Sequence, residues 1–291
     1  MLFPDFAQHR HKTSGAEINF LTAGKGPPLL FLHGYPQNLA IWHHLAPRFA
    51  REFTVVTADL RGYGDSSKPA TTPDHFPYSK RAMAQDMVEV MQHLGHEQFV
   101  VVGHDRGART AHRMALDHAG RVRKLAVLDI VPTLKAFSSI NQKTATQSYH
   151  WFFLSQPYDL PEHLIGSDPE YYLRKNLFGW TNGFAGFHPD ALASYIRCYK
   201  DPATLHGMCE DYRAAATIDL EHDRADLDRK VTCPVLALWG ERAALNSNYD
   251  VVAAWRERAN DVRGGTVPSG HYLPEEAPDE TYAALRAFLV A

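Results

Sequence analysis

The chain has 291 residues, 45% of them hydrophobic, with a formal net charge of −3 and three cysteines. This length and apolar content suit one large α/β domain with an insertion, and the mild acidity gives no reason to expect nucleic acid or an anionic membrane as a partner. No apolar run reaches the roughly 18 residues of a membrane span, and the polar segment Met1 to Glu17 lacks the apolar centre of a secretory signal.

In chain order, Ile18–Leu21 and Leu29–Leu32 read as an opening pair of strands. Thr54–Thr57, Phe99–Val102 and Leu125–Leu128 read as continuous buried strands, separated by helical stretches near Ala40–Phe49, Lys80–Leu94 and Arg106–His118. Apolar strands alternating with helices predict a largely parallel sheet covered on both faces. After Ile130-Val131-Pro132 the texture changes: residues 133–228 are rich in aromatics, Asp and Pro, and read as a mostly helical insertion. Strand signals resume at Pro234–Leu238 and near Gly265–Val267, and a final helix is predicted over Asp279–Leu289. The expected organisation is a core of residues 1–132 and 229–291 with a helical cap of 133–228. Ligands in such sheets bind at the carboxyl ends of the strands.

The most informative motif is Gly103-His104-Asp105-Arg106-Gly107, between a strand and a helix. This is the context of a nucleophile elbow, with Asp where an esterase carries Ser. A Ser oxygen that displaced a leaving group from an sp3 carbon would be left as a stable ether. A carboxylate that does so becomes an ester, which water can cleave at its carbonyl. Cys198, Cys209 and Cys233 have no disulfide or metal-ligand pattern and fit a reducing, cytoplasmic setting. The 17 histidines form no metal-binding array, so neither a metal nor a cofactor is expected.

His33-Gly34-Tyr35-Pro36, Asp59 to Pro69, the elbow, and Ser269-Gly270-His271 together resemble the α/β-hydrolase superfamily over nearly the whole chain. Within it, Gly103 to Arg109, Tyr149-His150-Trp151 and Asp211-Tyr212-Arg213-Ala214 are most similar to the fluoroacetate (haloacetate) dehalogenases. The resemblance implies an α/β-hydrolase fold with a cap, hydrolysis of short 2-haloacids with fluoroacetate leading, and a homodimer. It makes Asp105 the nucleophile and His271 the base that activates water. Many relatives place the third catalytic residue three positions after the strand-ending glycine, which here is Gly240, and that position is Ala243. Glu241 is offset, so Asp129, closing the strand Leu125–Leu128, is assigned to orient His271. Backbone N–H groups of Tyr35 and Arg106 are the expected oxyanion hole. Arg106 and Arg109, one helical turn apart, suit a substrate carboxylate, unless one of them pairs with an acid of the protein. His150, Trp151 and Tyr212 offer three donors to a departing halide, and Trp180 is a candidate pocket wall or gate. Asp59 to Pro69 reads as a turn buttressing the site. An epoxide hydrolase, using Tyr212 with Tyr149 or Tyr172 as donors, and a non-catalytic small-acid receptor are the competing readings.

Overall fold

The computed structural model describes residues 2–181, 183–184 and 186–291. Its strands are β1 (Ala7–Lys12), β2 (Glu17–Ala23), β3 (Pro28–Leu32), β4 (Thr54–Ala58), β5 (Phe99–His104), β6 (Val122–Leu128), β7 (Val235–Gly240) and β8 (Val262–Val267). They form one sheet in the order β1-β2-β4-β3-β5-β6-β7-β8, antiparallel at β1–β2–β4 and parallel from β4 to β8. Every residue of β5 is buried, as expected for a central strand covered on both faces. Alternate residues feed two apolar layers. Leu30, Val101 and Val127 meet the helices Lys80–His93 and Arg106–Asp117, while Phe31, Val102 and Leu128 meet Trp42, Phe49 and the final helix Pro278–Val290. The α/β-hydrolase fold expected from the sequence is the fold observed.

Several local readings differ. Ile18–Leu21 and Leu29–Leu32 do form strands, but β4 lies between them, pairing with Phe20–Ala23 of β2 on one side and with all of β3 on the other. The edge strand β1 has no apolar alternation to reveal it; its charged and histidine side chains face water, which also discourages pairing with a second sheet. The stretch Ala40–Phe49 divides into a 3-10 turn, Leu39–His44, and a short helix, Ala46–Phe49, around Pro47, which has no N–H to continue a helical ladder. β8 starts at Val262, its beginning obscured by Gly264 and Gly265.

Between β6 and β7 the chain is helical among the described residues, from Thr133–Ser138 to Ile218–Ala225. Three of these helices begin alike. Asp168, His188 and Asp201 each precede a proline and accept a backbone N–H of the first turn, starting Pro169–Trp180, Pro189–Tyr199 and Pro202–Ala216. Proline there supplies a helical φ at a position whose N–H would lack a partner anyway.

The elbow is built by close approach. A Cβ on Gly103 would lie 2.5 Å from Ala108 Cα, and one on Gly107 would lie 2.3 Å from the His33 carbonyl oxygen and 2.4 Å from that of Leu32. Strand, turn and helix can meet so tightly only without those side chains. Asp105 is held at φ 45°, ψ −114°, outside the regions L-residues prefer. Gly107→Ala is therefore expected to destabilise the protein by about 1–3 kcal/mol or more, since rigid backbone must move to admit the methyl. Denaturant titration, or the fall in Tm, measures this; a melting curve like that of the wild type would refute the packing argument.

Candidate active site

Asp105 stands at the end of β5 and caps the helix Arg106–Asp117, where the partial positive charge of the helix start favours a carboxylate. Tyr35 N–H donates to Asp105 Oδ1 at 2.9 Å. Gly34 permits this approach, because a Cβ there would sit 2.5 Å from Asp105 Cβ. Arg106 is the first residue of the helix, so its backbone N–H has no intrahelical acceptor. His33 serves the loop: its Nε2 accepts from Leu60 N–H at 3.1 Å, and Nδ1 lies 3.1 Å from the Gly34 carbonyl. Asp59 ties the neighbouring turn, accepting from Leu39 N–H, Asp65 N–H and Asn19 Nδ2 at 2.9 Å each.

Asp129 stands just past the end of β6, also at positive φ, 54°. Its Oδ2 is 2.6 Å from His271 Nδ1, and its Oδ1 accepts from Gly240 N–H at 3.1 Å. The His271 loop is held from several sides. His271 N–H donates to the Trp180 carbonyl at 3.0 Å, His104 Nε2 lies 2.8 Å from the His271 carbonyl, and Glu276 accepts from the N–H groups of Gly270 and Tyr272 at 2.7 and 2.8 Å. Asp105, Asp129 and His271 line one cavity of about 770 Å³, together with Arg109, His150, Trp151 and Trp180. Glu241 and Ala243 also line it, but Glu241 makes no contact with His271 like that of Asp129.

Electrostatics match this geometry. Burial disfavours ionised Asp105, yet His271, His104, Arg106 and Arg109 outweigh it and hold the carboxyl below its usual range. Burial would lower the His271 pKa, but the hydrogen bond and charge of Asp129, with Asp105 beyond, raise it above 6.5. His150 is pushed down to about 3 by burial, so it is neutral and offers one ring N–H.

The two arginines are not equivalent. Arg109 lines the cavity; its Nη1 donates to the Val131 carbonyl at 3.1 Å and to Thr133 Oγ1 at 3.0 Å, its Nε is buried without a partner, and its guanidinium lies 4.6 Å from the Trp151 ring centre. Arg106 does pair with an acid, but a buried one. Its Nε and Nη2 bond Asp211 Oδ2 and Oδ1 at 2.9 and 2.6 Å, Nη2 also donates to the Asp211 carbonyl at 2.8 Å, and only Nη1 is left, buried and unpartnered. The guanidinium lies 4.4 Å from the Tyr212 ring centre. Tyr212 is fully enclosed rather than on the cavity wall, with ring centres 5.2 Å from Tyr35, 5.8 Å from His150 and 6.4 Å from Trp151. Trp180 stands 4.5 Å from the His150 ring and 5.7 Å from the His271 ring, between the cap and the base. His150 Nδ1 is buried and unpartnered. Among the described residues, no group of three or more His, Cys, Asp and Glu side chains could hold a metal ion, and no helix is long and apolar enough to cross a membrane.

Asp211 and Lys80 had no assigned role in the sequence reading. Their partners lie 105 and 131 residues away along the chain, so no local spacing could disclose them.

The His271 shift is open to direct measurement. In Asp129→Asn the hydrogen bond and charge that oppose burial are lost, so the His271 pKa is expected to fall. Glu241→Gln should leave it in place. NMR titration of the His271 ring resonance in the two variants reads this out, and equal shifts would leave Asp129 without its special role.

Comparison with known proteins accords with the geometry. The family model for the alpha/beta hydrolase fold matches residues 27–278. A fluoroacetate dehalogenase from Burkholderia sp is 47% identical over 99% of this chain and 95% of its own length. A soluble epoxide hydrolase from Corynebacterium sp. (strain C12) is 36% identical, covering 94% of each. Among solved structures, a Nostoc sp PCC 7120 protein assigned to the alpha/beta hydrolases superimposes with a TM-score of 0.98 at 61% identity, covering 99% of both chains. The elbow carboxylate, its histidine and the acid at the end of β6 thus sit in a known scaffold, and the chain belongs to the α/β-hydrolase family, among its haloacetate dehalogenases.

Proposed function

We propose that the protein hydrolyses the carbon–halogen bond of short 2-haloacids, with fluoroacetate the leading substrate, through an ester on Asp105. The observation that carries this is a set of buried donors left without partners near an ionised Asp105: Arg109 Nε and His150 Nδ1 on residues that line the cavity, and Arg106 Nη1 on the residue next to Asp105. Two cations beside a carboxylate nucleophile suit a substrate that is itself an anion.

Tyr35 N–H holds Asp105 Oδ1, which leaves Oδ2 to attack the carbon bearing the halogen. The carbon–halogen bond breaks, halide leaves with the electron pair, and Oδ2 becomes the ester oxygen. His150 and Trp151, which line the cavity, receive the halide, with Tyr212 behind them as the third donor. Fluoride leaves poorly, so donors that strengthen as its charge develops matter most for it. The ester has lost the Asp105 charge, one of the influences raising the His271 pKa, so His271 becomes neutral more readily when a base is required. It takes a proton from water, water adds to the Asp105 carbonyl carbon, and Oδ1 becomes the oxyanion facing Tyr35 and Arg106 N–H. Collapse breaks the Cγ–Oδ2 bond, the leaving oxygen takes the proton back from the His271 imidazolium to give glycolate, and the carboxyl left on Asp105 ionises to restore the carboxylate.

The epoxide reading has a 36% identical relative in its favour. It needs tyrosine donors paired with Tyr212 over the nucleophile. Tyr149 instead directs its hydroxyl to Asn176 Oδ1 at 3.4 Å, and neither Tyr172 nor Tyr212 lines the cavity. The receptor reading would leave the His271–Asp129 hydrogen bond without a purpose. We also infer a cytoplasmic protein, supported by three free cysteines, and a homodimer, by family likeness.

Halide release from fluoroacetate and diol formation from styrene oxide, assayed side by side, test the reading. His271→Ala should accumulate a carboxymethyl ester on the peptide bearing Asp105 after exposure to a haloacetate, visible by mass spectrometry. An adduct elsewhere, or steady turnover, would overturn the two-step route. Asp129→Asn should lose up to about 10⁴-fold in activity, by analogy with a serine-protease triad, and Glu241→Gln far less. Trp151→Phe and Tyr212→Phe should slow fluoroacetate turnover roughly 10- to 100-fold, and chloroacetate turnover less, because a hydrogen bond to a charged group contributes about 1.5–3 kcal/mol. Equal losses on both substrates would make these residues packing rather than a halide site.

A further inference from the structure

Beneath the cavity lies a buried ionic cluster that the reaction steps do not employ. Asp211 accepts Arg106 Nε and Nη2, the Tyr63 hydroxyl at 2.7 Å, and the Lys80 ammonium. Lys80 opens the helix Lys80–His93 and is 3% exposed; Arg106 and Asp211 are fully enclosed. The Lys80 ammonium also lies 3.4 Å from Met83 Sδ, and its backbone N–H donates to Asp219 Oδ1 at 2.8 Å.

A carboxylate gripping a guanidinium through two bonds largely cancels its charge toward a third partner. With Asp211 alone, Arg106 would present little attraction to an anion at Nη1. A buried lysine is costly unless compensated, and here the carboxylate its ammonium bonds is the same Asp211, with Asp219 adding negative charge nearby. Two cations then share the one anion that touches both. We propose that Lys80 is a positioning residue for the substrate carboxylate: by sharing Asp211 with Arg106, it leaves net positive charge on the guanidinium for an anion to meet. This rests on the haloacid reading of the site. The groups facing Lys80 are Asp211, with Tyr63 behind it, Asp219, Arg106 and Met83. Burial and the Arg106 charge push Lys80 down to about 8, and burial pushes Asp219 up to about 6.

The test uses acetate as an unreactive carboxylate, titrated by calorimetry into wild type, Lys80→Met and the double variant Lys80→Met/Asp211→Asn, with KM and kcat for chloroacetate alongside. Lys80→Met should raise the acetate Kd and the KM about tenfold or more, the scale of one nearby charge in a partly buried site, with a smaller change in kcat. The double variant removes one charge of each sign and should recover most of that affinity, which a merely structural lysine would not allow. Wild-type affinity should fall as pH rises through about 8, and Lys80→Met should lack that limb. An unchanged Kd in Lys80→Met, or a double variant no better than the single, overturns the role of Lys80 while wild-type turnover stands. A wild type that neither binds acetate nor releases halide overturns it together with the haloacid reading. If Lys80→Met fails to fold, the pH profile of acetate binding in His271→Ala, where the base no longer titrates, decides: a flat profile through pH 8 refutes the proposal.

Discussion

A carboxylate in the role proposed for Asp105 has to open on the cavity, be ionised and be fixed in direction, and the turn that carries it meets all three demands. Its backbone is held at φ 45° by the close meeting of β5, the following helix and the carbonyls at the end of β3, a meeting that Gly103 and Gly107 alone permit. The strain lifts the side chain from the end of the sheet and turns one oxygen onto Tyr35 N–H. The remaining groups of the site are placed relative to that oxygen pair: Asp129 and His271 at the ends of the strands beyond β5, and the cap helices above.

Charge is the second constraint. Asp105, Asp129, Asp211 and Asp219 all lie within or just beneath the site, and each is buried. Arg106, Arg109, Lys80 and His271 answer them, so the interior is a lattice of ions rather than an apolar pocket with one reactive group. In such surroundings removing a single charge acts on every neighbour, because little water is present to screen it. The reciprocal influence of Asp105 and His271 is one instance: each stabilises the charged form of the other, and esterification of Asp105 would remove that support as the histidine turns to act as base.

The cap does more than cover the site. Its helix Pro202–Ala216 carries Asp211 and Tyr212 in succession, one gripping Arg106 from the side and the other lying against its face. The end of Pro169–Trp180 accepts the backbone N–H of His271, and a Cβ on Gly270 would lie 2.7 Å from the Trp180 and Thr181 carbonyl oxygens. The seating of the cap therefore fixes the positions of both Arg106 and His271.

The sequence by itself determined the scaffold and picked out Asp105, Asp129 and His271, which the structure brings to one cavity. Apolar strands alternating with helices leave one arrangement in which both sheet faces are covered, and Gly-x-Asp-x-Gly between a strand and a helix marks a turn whose central residue must be exposed. Ala243, where an acid would otherwise be expected, directed attention to Asp129, a choice that rested on its place at a strand end and on what the dehalogenase resemblance implies. Other features depended on contacts that leave no periodic trace. The polar edge strand β1 is specified by its pairing with β2 rather than by its own side chains. The inequality of Arg106 and Arg109, which share a helix face and a residue type, arises because Asp211 reaches one and not the other across 105 residues of chain. Spacing along a helix tells which side chains share a face; only the folded packing of the cap decides which charges they meet.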